Sequence, residues 1–84
     1  MCVKFFDTGG AEIVAGDEIM IEICYSTPMY RGRRAMVTYD EKIGAFRYHL
    51  IFPPSKHRNE TEETVDRAGS TFEGIGAFRK IVKP

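Results

Sequence analysis

Apolar and polar residues alternate over long stretches of this sequence, with the period of a β-strand that has one buried face. The alternation is clearest in residues 18–25 and returns in residues 34–39 and 45–52. We therefore predict three half-buried strands. The side chains predicted to point inward are Ile19, Ile21, Ile23 and Tyr25 in the first strand, Ala35, Val37 and Tyr39 in the second, and Phe46, Tyr48, Leu50 and Phe52 in the third.

The second and third predicted strands are joined by residues 40–44, which have the composition of a short hairpin turn. Asp40 can accept hydrogen bonds from nearby backbone amides, and Gly44 can adopt a positive φ. This segment therefore predicts a β-hairpin. Nearer the start of the chain, the pattern predicts a short strand at residues 2–6 and turns at residues 7–10 and 15–17.

The last third of the chain is predicted to hold one polar segment and one strand. Pro53 and Pro54 end the preceding strand, since proline has no backbone N–H to donate to a β-ladder. Residues 55–70 then contain almost no apolar side chains, and residues 61–68 fit either a short capped helix or a mobile loop. Residues 72–82 form the final strand, with a bulge or bend at its glycines. Its predicted core contacts are Ile75, Phe78 and Ile81.

The pentapeptide Ile-Gly-Ala-Phe-Arg occurs twice, at residues 43–47 and 75–79. The flanking residues do not match, and two copies are too few for a repeat array. We interpret each copy as a glycine turn that leads an aromatic side chain into a sheet.

Short strands separated by turns, with little helix, predict a mostly β fold: a small SH3-like barrel or a rolled antiparallel sheet with one long polar loop. The 84 residues, 1–84, are predicted to form a single domain, because chains divide into domains only at greater length. With 43% hydrophobic residues, the chain is expected to fold without a metal or a disulfide. A domain of this size buries a modest share of its surface, so we also expect self-association.

Charge and hydropathy favour a cytoplasmic protein that binds no membrane. Twelve basic and twelve acidic side chains cancel, so no net field attracts the whole chain to nucleic acid or to an anionic membrane. No apolar run approaches the roughly 18 residues of a membrane helix, and the first residues lack a signal-peptide core. Cys2 and Cys24 lie far apart without CxxC spacing, so we expect both to be reduced.

The residue pattern predicts no catalytic, metal or cofactor site. Nucleophilic catalysis requires a hydroxyl or thiol with a base in reach, and both His49 and His57 are predicted to be solvated. Structural zinc ligands usually come in close pairs, which Cys2, Cys24 and the two histidines do not form. The acidic run at residues 60–66 lacks EF-hand spacing and is interpreted as a solvated loop.

The best candidate for a binding site is the basic loop at residues 30–34 together with a tyrosine from the preceding strand. The candidate residues are Tyr25, Tyr30, Arg31, Arg33 and Arg34. Arginine binds phosphate bidentately and aromatic faces stack on unpaired bases, so this composition is typical of single-stranded RNA binding. The alternative is a basic hairpin loop that is balanced by the acidic loop, in a contact between subunits.

Two segments have a distinctive residue pattern: residues 7–19 read D-T-G-G-A-E-I-V-A-G-D-E-I, and residues 35–46 read A-M-V-T-Y-D-E-K-I-G-A-F. Both resemble signatures of the YopX-type proteins of phages and prophages. The resemblance spans about half of the chain. It departs at Val14, where the family usually has an aromatic residue, and near the end, where Ile75-Gly76 is all that remains of an isoleucine-glycine-asparagine element. The resemblance implies a small β-barrel-like fold encoded by a phage or integrated element, and it assigns no activity to particular residues.

The strings G-D-x-I-x-I at residues 16–21 and G-R-R-A-x-V at residues 32–37 are also similar to the MazF-like toxin endoribonucleases. That resemblance implies RNA cleavage by an arginine and a hydroxyl. The candidates for these two roles are Arg33 or Arg34 and Thr38 or Ser26. Our prediction is a non-catalytic binding or assembly module, with an RNA-binding or RNA-cleaving barrel as the alternative. The expected partner is a second copy of the chain or another phage or host protein.

Overall fold

The computed structural model describes residues 4–82, which form eight β-strands and three single 3₁₀ turns. The strands are β1 (Phe5–Phe6), β2 (Glu12–Ile13), β3 (Glu18–Cys24), β4 (Arg34–Asp40), β5 (Ala45–Phe52), β6 (Thr64–Val65), β7 (Ser70–Thr71) and β8 (Ile75–Lys80). The 3₁₀ turns lie at Pro28–Tyr30, Lys56–Arg58 and Phe72–Gly74. Within the described residues, no helix has the length and apolar character needed to cross a membrane.

One antiparallel sheet contains most of the strands, in the spatial order β6-β5-β4-β3-β8, and β7 also pairs with β5. Strands β1 and β2 form a separate two-stranded sheet. In the described part of the chain the outer strands β8 and β6 do not pair with each other, so the large sheet is open and does not close into a barrel. The prediction of a mostly β fold built on an antiparallel sheet is confirmed.

Strands β4 and β5 form the predicted hairpin, in which Asp40 pairs with Ala45. The Oδ1 atom of Asp40 accepts a hydrogen bond from the backbone N–H of Lys42 at 2.9 Å. Gly44 has a φ of 64°, which most other residues adopt only with strain. These two residues provide the backbone bonding and the chain reversal that the sequence predicted.

The hydrophobic core is one cluster of buried side chains contributed by both sheets. Its members are Ile13, Ile19, Ile21, Cys24, Ala35, Val37, Tyr48, Leu50 and Phe78. The partly buried side chains packed against it are Phe5, Tyr30, Phe46, Phe72 and Ile75. Ile13 comes from β2, so the small sheet lies over the buried face of the large one. Fully burying one isoleucine contributes about 1.5–3 kcal/mol, which makes this cluster the main source of stability.

The predicted inward face of β3 is right in its first half and wrong in its second. Ile19 and Ile21 are fully buried. Ile23 is 46% exposed, and Cys24 is buried in its place. Tyr25, just beyond the strand, was also predicted to point inward and is instead 76% exposed. The pairing with β8 shifts register on either side of Ile23, and a bulge of this kind reverses which side chains face inward.

Strands β4 and β5 largely follow the predicted pattern, and four of their predicted core residues are buried: Ala35, Val37, Tyr48 and Leu50. Phe46 is half-buried at the margin of the core. Tyr39 and Phe52 lie towards the strand ends and are each 38% exposed, so their predicted burial is wrong. Ile51 is buried on the opposite face, where Val65 of β6 pairs with it.

The helix considered for residues 61–68 is wrong, because this segment contains strand β6. Val65 pairs with Ile51, and Thr64 pairs with Phe52. β-branched residues such as these two favour extended backbone, and β5 has an edge with which they pair. Pairing with a strand distant in sequence therefore overrides the local helix signals.

The final strand runs from Ile75 to Lys80, inside the predicted range. Phe78 is buried and Ile75 packs against the core, as predicted. Ile81 lies just beyond the strand and is half-buried. At the other end of the chain, β1 confirms part of the predicted first strand, whereas Cys2 and Val3 lie outside the described residues.

The turn after β1 covers the outer edge of β8 with hydrogen bonds. Thr8 donates its backbone N–H to the carbonyl of Phe78 at 2.9 Å, and its Oγ1 accepts the N–H of Phe78 at 3.0 Å. The Oδ2 atom of Asp7 accepts the N–H of Lys80 at 2.8 Å, and this bond holds the pKa of Asp7 below its ordinary value of 3.8. The edge of the sheet is therefore occupied at these positions.

Candidate binding surfaces

The five predicted site residues do not form one surface. Tyr25 and Arg31 line a shallow groove of about 350 Å³ together with Pro28. We call this the basic-loop groove. Both Tyr25 and Arg31 are exposed, and Tyr25 lies across β8, where a Cβ atom added at Gly76 would be 2.5 Å from its Cε2 atom. Tyr30 packs against the core and does not line this groove.

The other two arginines of the loop are engaged by neighbouring side chains. The guanidinium carbon of Arg33 lies 5.4 Å from the ring centre of Phe52, which is a cation–π contact. Arg34 forms ion pairs with Glu18, at 3.1 Å, and with Glu63. The acidic loop therefore balances part of the basic loop, as the alternative interpretation of the sequence expected. The geometry leaves Arg31 as the most accessible of the three cations.

Among the described residues, no hydrogen bond joins Arg33 or Arg34 to the hydroxyl of Thr38 or Ser26, the groups that the MazF-like resemblance implies. Arg33 and Arg34 line one groove with Ile51, and Thr38 lines another. The Oγ atom of Ser26 lies 3.4 Å from the sulfur of Cys24.

A cleft of about 490 Å³ opens where β1, the start of β5 and the Phe72–Gly74 turn meet. We call it the aromatic cleft. Its lining residues are Phe5, Gly44, Ala45, Phe46, Thr71, Phe72 and Glu73. The ring of Phe5 stacks on Phe46, with centroids 4.9 Å apart and planes 14° apart, and meets Phe72 edge-on at 4.9 Å. Such rings give a rigid, apolar wall.

Two exposed apolar side chains are neighbours in sequence of residues that line the aromatic cleft. Phe6, next to Phe5 in the chain, is 50% exposed, and Ile43, next to Gly44, is 48% exposed. The repeated pentapeptide was the sequence signal for this region. Its first copy supplies Gly44 and Phe46 to the cleft, and the phenylalanine of its second copy, Phe78, lies 5.4 Å from Phe5. Sequence reasoning missed the cleft because Phe5 and Phe72 join it from distant parts of the chain.

His49 is not the solvated side chain that the sequence predicted. It is half-buried, with Nε2 2.7 Å from the hydroxyl of Thr38 and Nδ1 2.8 Å from the carbonyl of Asp66. The sequence places Asp66 in a loop, and only the pairing of β6 with β5 brings its carbonyl to the ring. His57, by contrast, is exposed.

The remaining titratable groups of note are structural. Arg47 donates from Nε to Asp40 at 2.8 Å, and this hydrogen bond holds the pKa of Asp40 below its ordinary value of 3.8. Burial raises the pKa of Tyr48 above 10.0. Among residues 4–82, no three histidine, cysteine, aspartate or glutamate side chains are grouped as metal ligands would be. Cys24 is a buried free thiol, and Cys2 lies outside the described residues.

Comparison with known proteins adds no family to this geometry: no family model, no curated protein and no solved structure matches the chain.

Proposed function

We propose that the chain is a non-catalytic assembly module of the YopX type, encoded by a phage or prophage and acting in the cytoplasm. We further propose that it associates with a second copy of itself through the aromatic cleft. The prediction from sequence was a binding or assembly module without a defined surface. The open, apolar cleft supports this choice of surface.

The residues that carry the YopX resemblance have structural roles. Asp7 bonds to the edge of β8, and Asp17 accepts the backbone N–H of Val14 at 2.9 Å from its Oδ2 atom. Gly16 has a φ of 98°, and the signature isoleucines Ile13 and Ile19 are fully buried. The signature thus describes how the chain turns and packs, which supports a shared shape and assigns no chemistry.

One observation carries the assembly proposal: an open apolar cleft has an exposed apolar side chain next in sequence to one of its lining residues. Gly44 lines the cleft, and its neighbour Ile43 projects with 48% of its surface exposed. A two-fold dimer requires a self-complementary patch, in which each copy offers both the projection and the hollow. Burial of Ile43 and Phe6 against a second copy would remove exposed apolar surface that a small domain cannot cover alone.

The experiment is sedimentation velocity over a dilution series of the wild-type chain, Ile43→Asp and Met29→Asp. Met29 is 82% exposed at the Pro28–Tyr30 turn, away from the cleft lining, and provides the matched control. We expect the wild type and Met29→Asp to dimerise with rising concentration. Ile43→Asp should remain monomeric, because it places a charge at the apolar contact.

Two outcomes would contradict the assembly proposal. A wild-type chain that stays monomeric at millimolar concentration would remove self-association altogether. If Met29→Asp and Ile43→Asp lose the dimer equally, the dimer contact does not lie specifically at the aromatic cleft. Circular dichroism of each variant checks that its fold is retained.

Single-stranded RNA binding is a second candidate, favoured by the exposed ring of Tyr25 beside the exposed Arg31. An aromatic face stacks on an unpaired base, and an adjacent guanidinium binds the following phosphate. Because Arg34 already has two carboxylate partners, we expect Arg31→Ala to weaken RNA binding more than Arg34→Ala does. Affinity for a short single-stranded RNA, measured over a salt series, tests this, and undetectable binding at low salt would exclude it.

A further inference from the structure

The outer face of the sheet, opposite the core, has a polar groove that the proposed function does not use. Along the β4–β5 hairpin, Thr38 lies opposite Arg47, and Met36 lies opposite His49. Thr38, Arg47 and His49 line a groove of about 630 Å³, together with Arg67 from the segment that follows β6. We call it the histidine groove. Its volume is sufficient for a small organic ligand.

The ring of His49 is fixed in this groove by three contacts. The carbonyl of Asp66 can only accept a hydrogen bond, so Nδ1 of His49 carries a hydrogen. Nε2 lies 2.7 Å from the hydroxyl of Thr38, within hydrogen-bond distance. Gly69 packs against the ring so closely that a Cβ atom there would lie 2.6 Å from Cε1. The imidazole and the hydroxyl therefore form a preorganised polar wall.

Two guanidinium groups of the groove have donors for a ligand. Arg47 uses its Nε to bond Asp40, which leaves its two terminal amino groups for another acceptor. Arg67 is exposed, and within residues 4–82 it has no ion pair or hydrogen bond. Arginine side chains with free terminal amino groups bind phosphate through paired N–H donors.

The charge of the groove limits the size of the anion. Lys42, Arg47 and Arg67 supply three positive charges, and Asp40 and Glu41 supply two negative charges. One net positive charge suits a single phosphate, whereas the carboxylates would repel the backbone of a longer strand.

We propose that the histidine groove binds a small phosphate ester. Arg47 and Arg67 bind the phosphate, and Thr38 and His49 form the polar wall beside it. This site is separate from the aromatic cleft and does not depend on self-association.

The test is titration of the ¹⁵N-labelled chain with AMP, followed by the amide resonances. We expect AMP to shift the amides of Thr38, Arg47 and His49. Arg67→Ala should weaken AMP binding by roughly tenfold or more, because it removes a charge-assisted contact. Arg79→Ala is the matched control, since Arg79 is an exposed arginine that pairs with Glu22 outside the groove, and its affinity should equal that of the wild type.

Several results would overturn the proposal. Absence of shifts with millimolar AMP would exclude a site at this groove. Equal affinity for adenosine and AMP would remove the role of the phosphate. Equal weakening in Arg67→Ala and Arg79→Ala would indicate non-specific attraction to positive charge. Tighter binding of an adenylate oligonucleotide than of AMP would indicate a nucleic-acid surface.

Discussion

The aromatic cleft and the basic loop at residues 30–34 differ in how many of their side chains have a partner within the same molecule. In the basic loop, Arg34 reaches two carboxylates and Arg33 lies over Phe52. In the cleft, the rings of Phe5 and Phe46 stack but leave an open hollow with exposed apolar neighbours. Long charged side chains can reach partners on their own surface, whereas rigid rings cannot close a hollow. The assembly proposal therefore rests on the exposed apolar surface of the cleft and not on the charges of the basic loop.

The largest effect on stability is expected from Phe5→Ala at the cleft. The ring of Phe5 contacts those of Phe46, Phe72 and Phe78, so its loss opens the margin of the core. We expect the free energy of unfolding to fall by about 3 kcal/mol. Urea denaturation measures it, with Phe52→Ala at the basic loop as the control, for which we expect about 1 kcal/mol. If Phe5→Ala and Phe52→Ala lower the free energy of unfolding equally, the aromatic cleft contributes no more to stability than the basic loop does.

A smaller loss is expected from Gly76→Ala beside the basic-loop groove. The added methyl group would meet the ring of Tyr25 at 2.5 Å, and this exposed ring can move aside. We expect a loss of about 1 kcal/mol. In a double-mutant cycle, Tyr25→Ser should remove most of that loss, because it removes the contact. Additive losses in the cycle would show that Tyr25 does not pack on Gly76.

Arg34→Ala is expected to change stability less. Its ion pairs are partly exposed, with 40% of the arginine side chain accessible, and such pairs contribute roughly 0.2–1 kcal/mol. Thermal unfolding at low and high salt measures the loss, which should shrink at high salt. A loss as large as that of Phe5→Ala would mean that the paired charges organise the fold as strongly as the aromatic cleft does.

The smallest expected effect on the free energy of unfolding comes from protonation of two carboxylates with lowered pKa values, and it appears only in acid. The pKa of Asp7 is lowered by the backbone N–H of Lys80, and that of Asp40 by the side chain of Arg47. Because the folded values lie below the unfolded ones, the stability they provide is present above pH 3.8 and is lost as the pH falls through the folded values.

Carbon-detected NMR titration measures both carboxyl groups. Arg47→Gln should raise the pKa of Asp40 towards its ordinary value and leave that of Asp7 lowered, because Asp7 is bonded elsewhere. If both pKa values move together in this variant, the assigned causes are wrong.

The sequence predicts the parts of this fold that depend on local pattern. Alternation identified β3, β4 and β5, and Asp40 with Gly44 identified the hairpin. The bulge near Ile23 could not be predicted, because it arises from pairing with β8. Strand β6 was missed for a similar reason, since it forms against an edge that is distant in sequence.

The candidate surfaces were harder to predict than the strands. The basic loop was visible in the sequence, but Glu18 and Glu63, which balance Arg34, come from distant segments. The environment of His49 depends on the backbone carbonyl of Asp66. Every residue has a backbone carbonyl, so the identity of residue 66 does not reveal this contact. Sites assembled from distant segments and backbone groups therefore require the structure.

The turn formed by Asp7 and Thr8 also limits how copies of the chain can join. It already occupies the backbone groups of Phe78 and Lys80 that would recruit an incoming strand. A strand of another copy therefore cannot add to the sheet at these positions of β8, which is the step by which β-fibrils grow. Any contact between copies at this edge must be made by side chains. If the chain associates as proposed, Asp7 and Thr8 therefore favour particles of finite size.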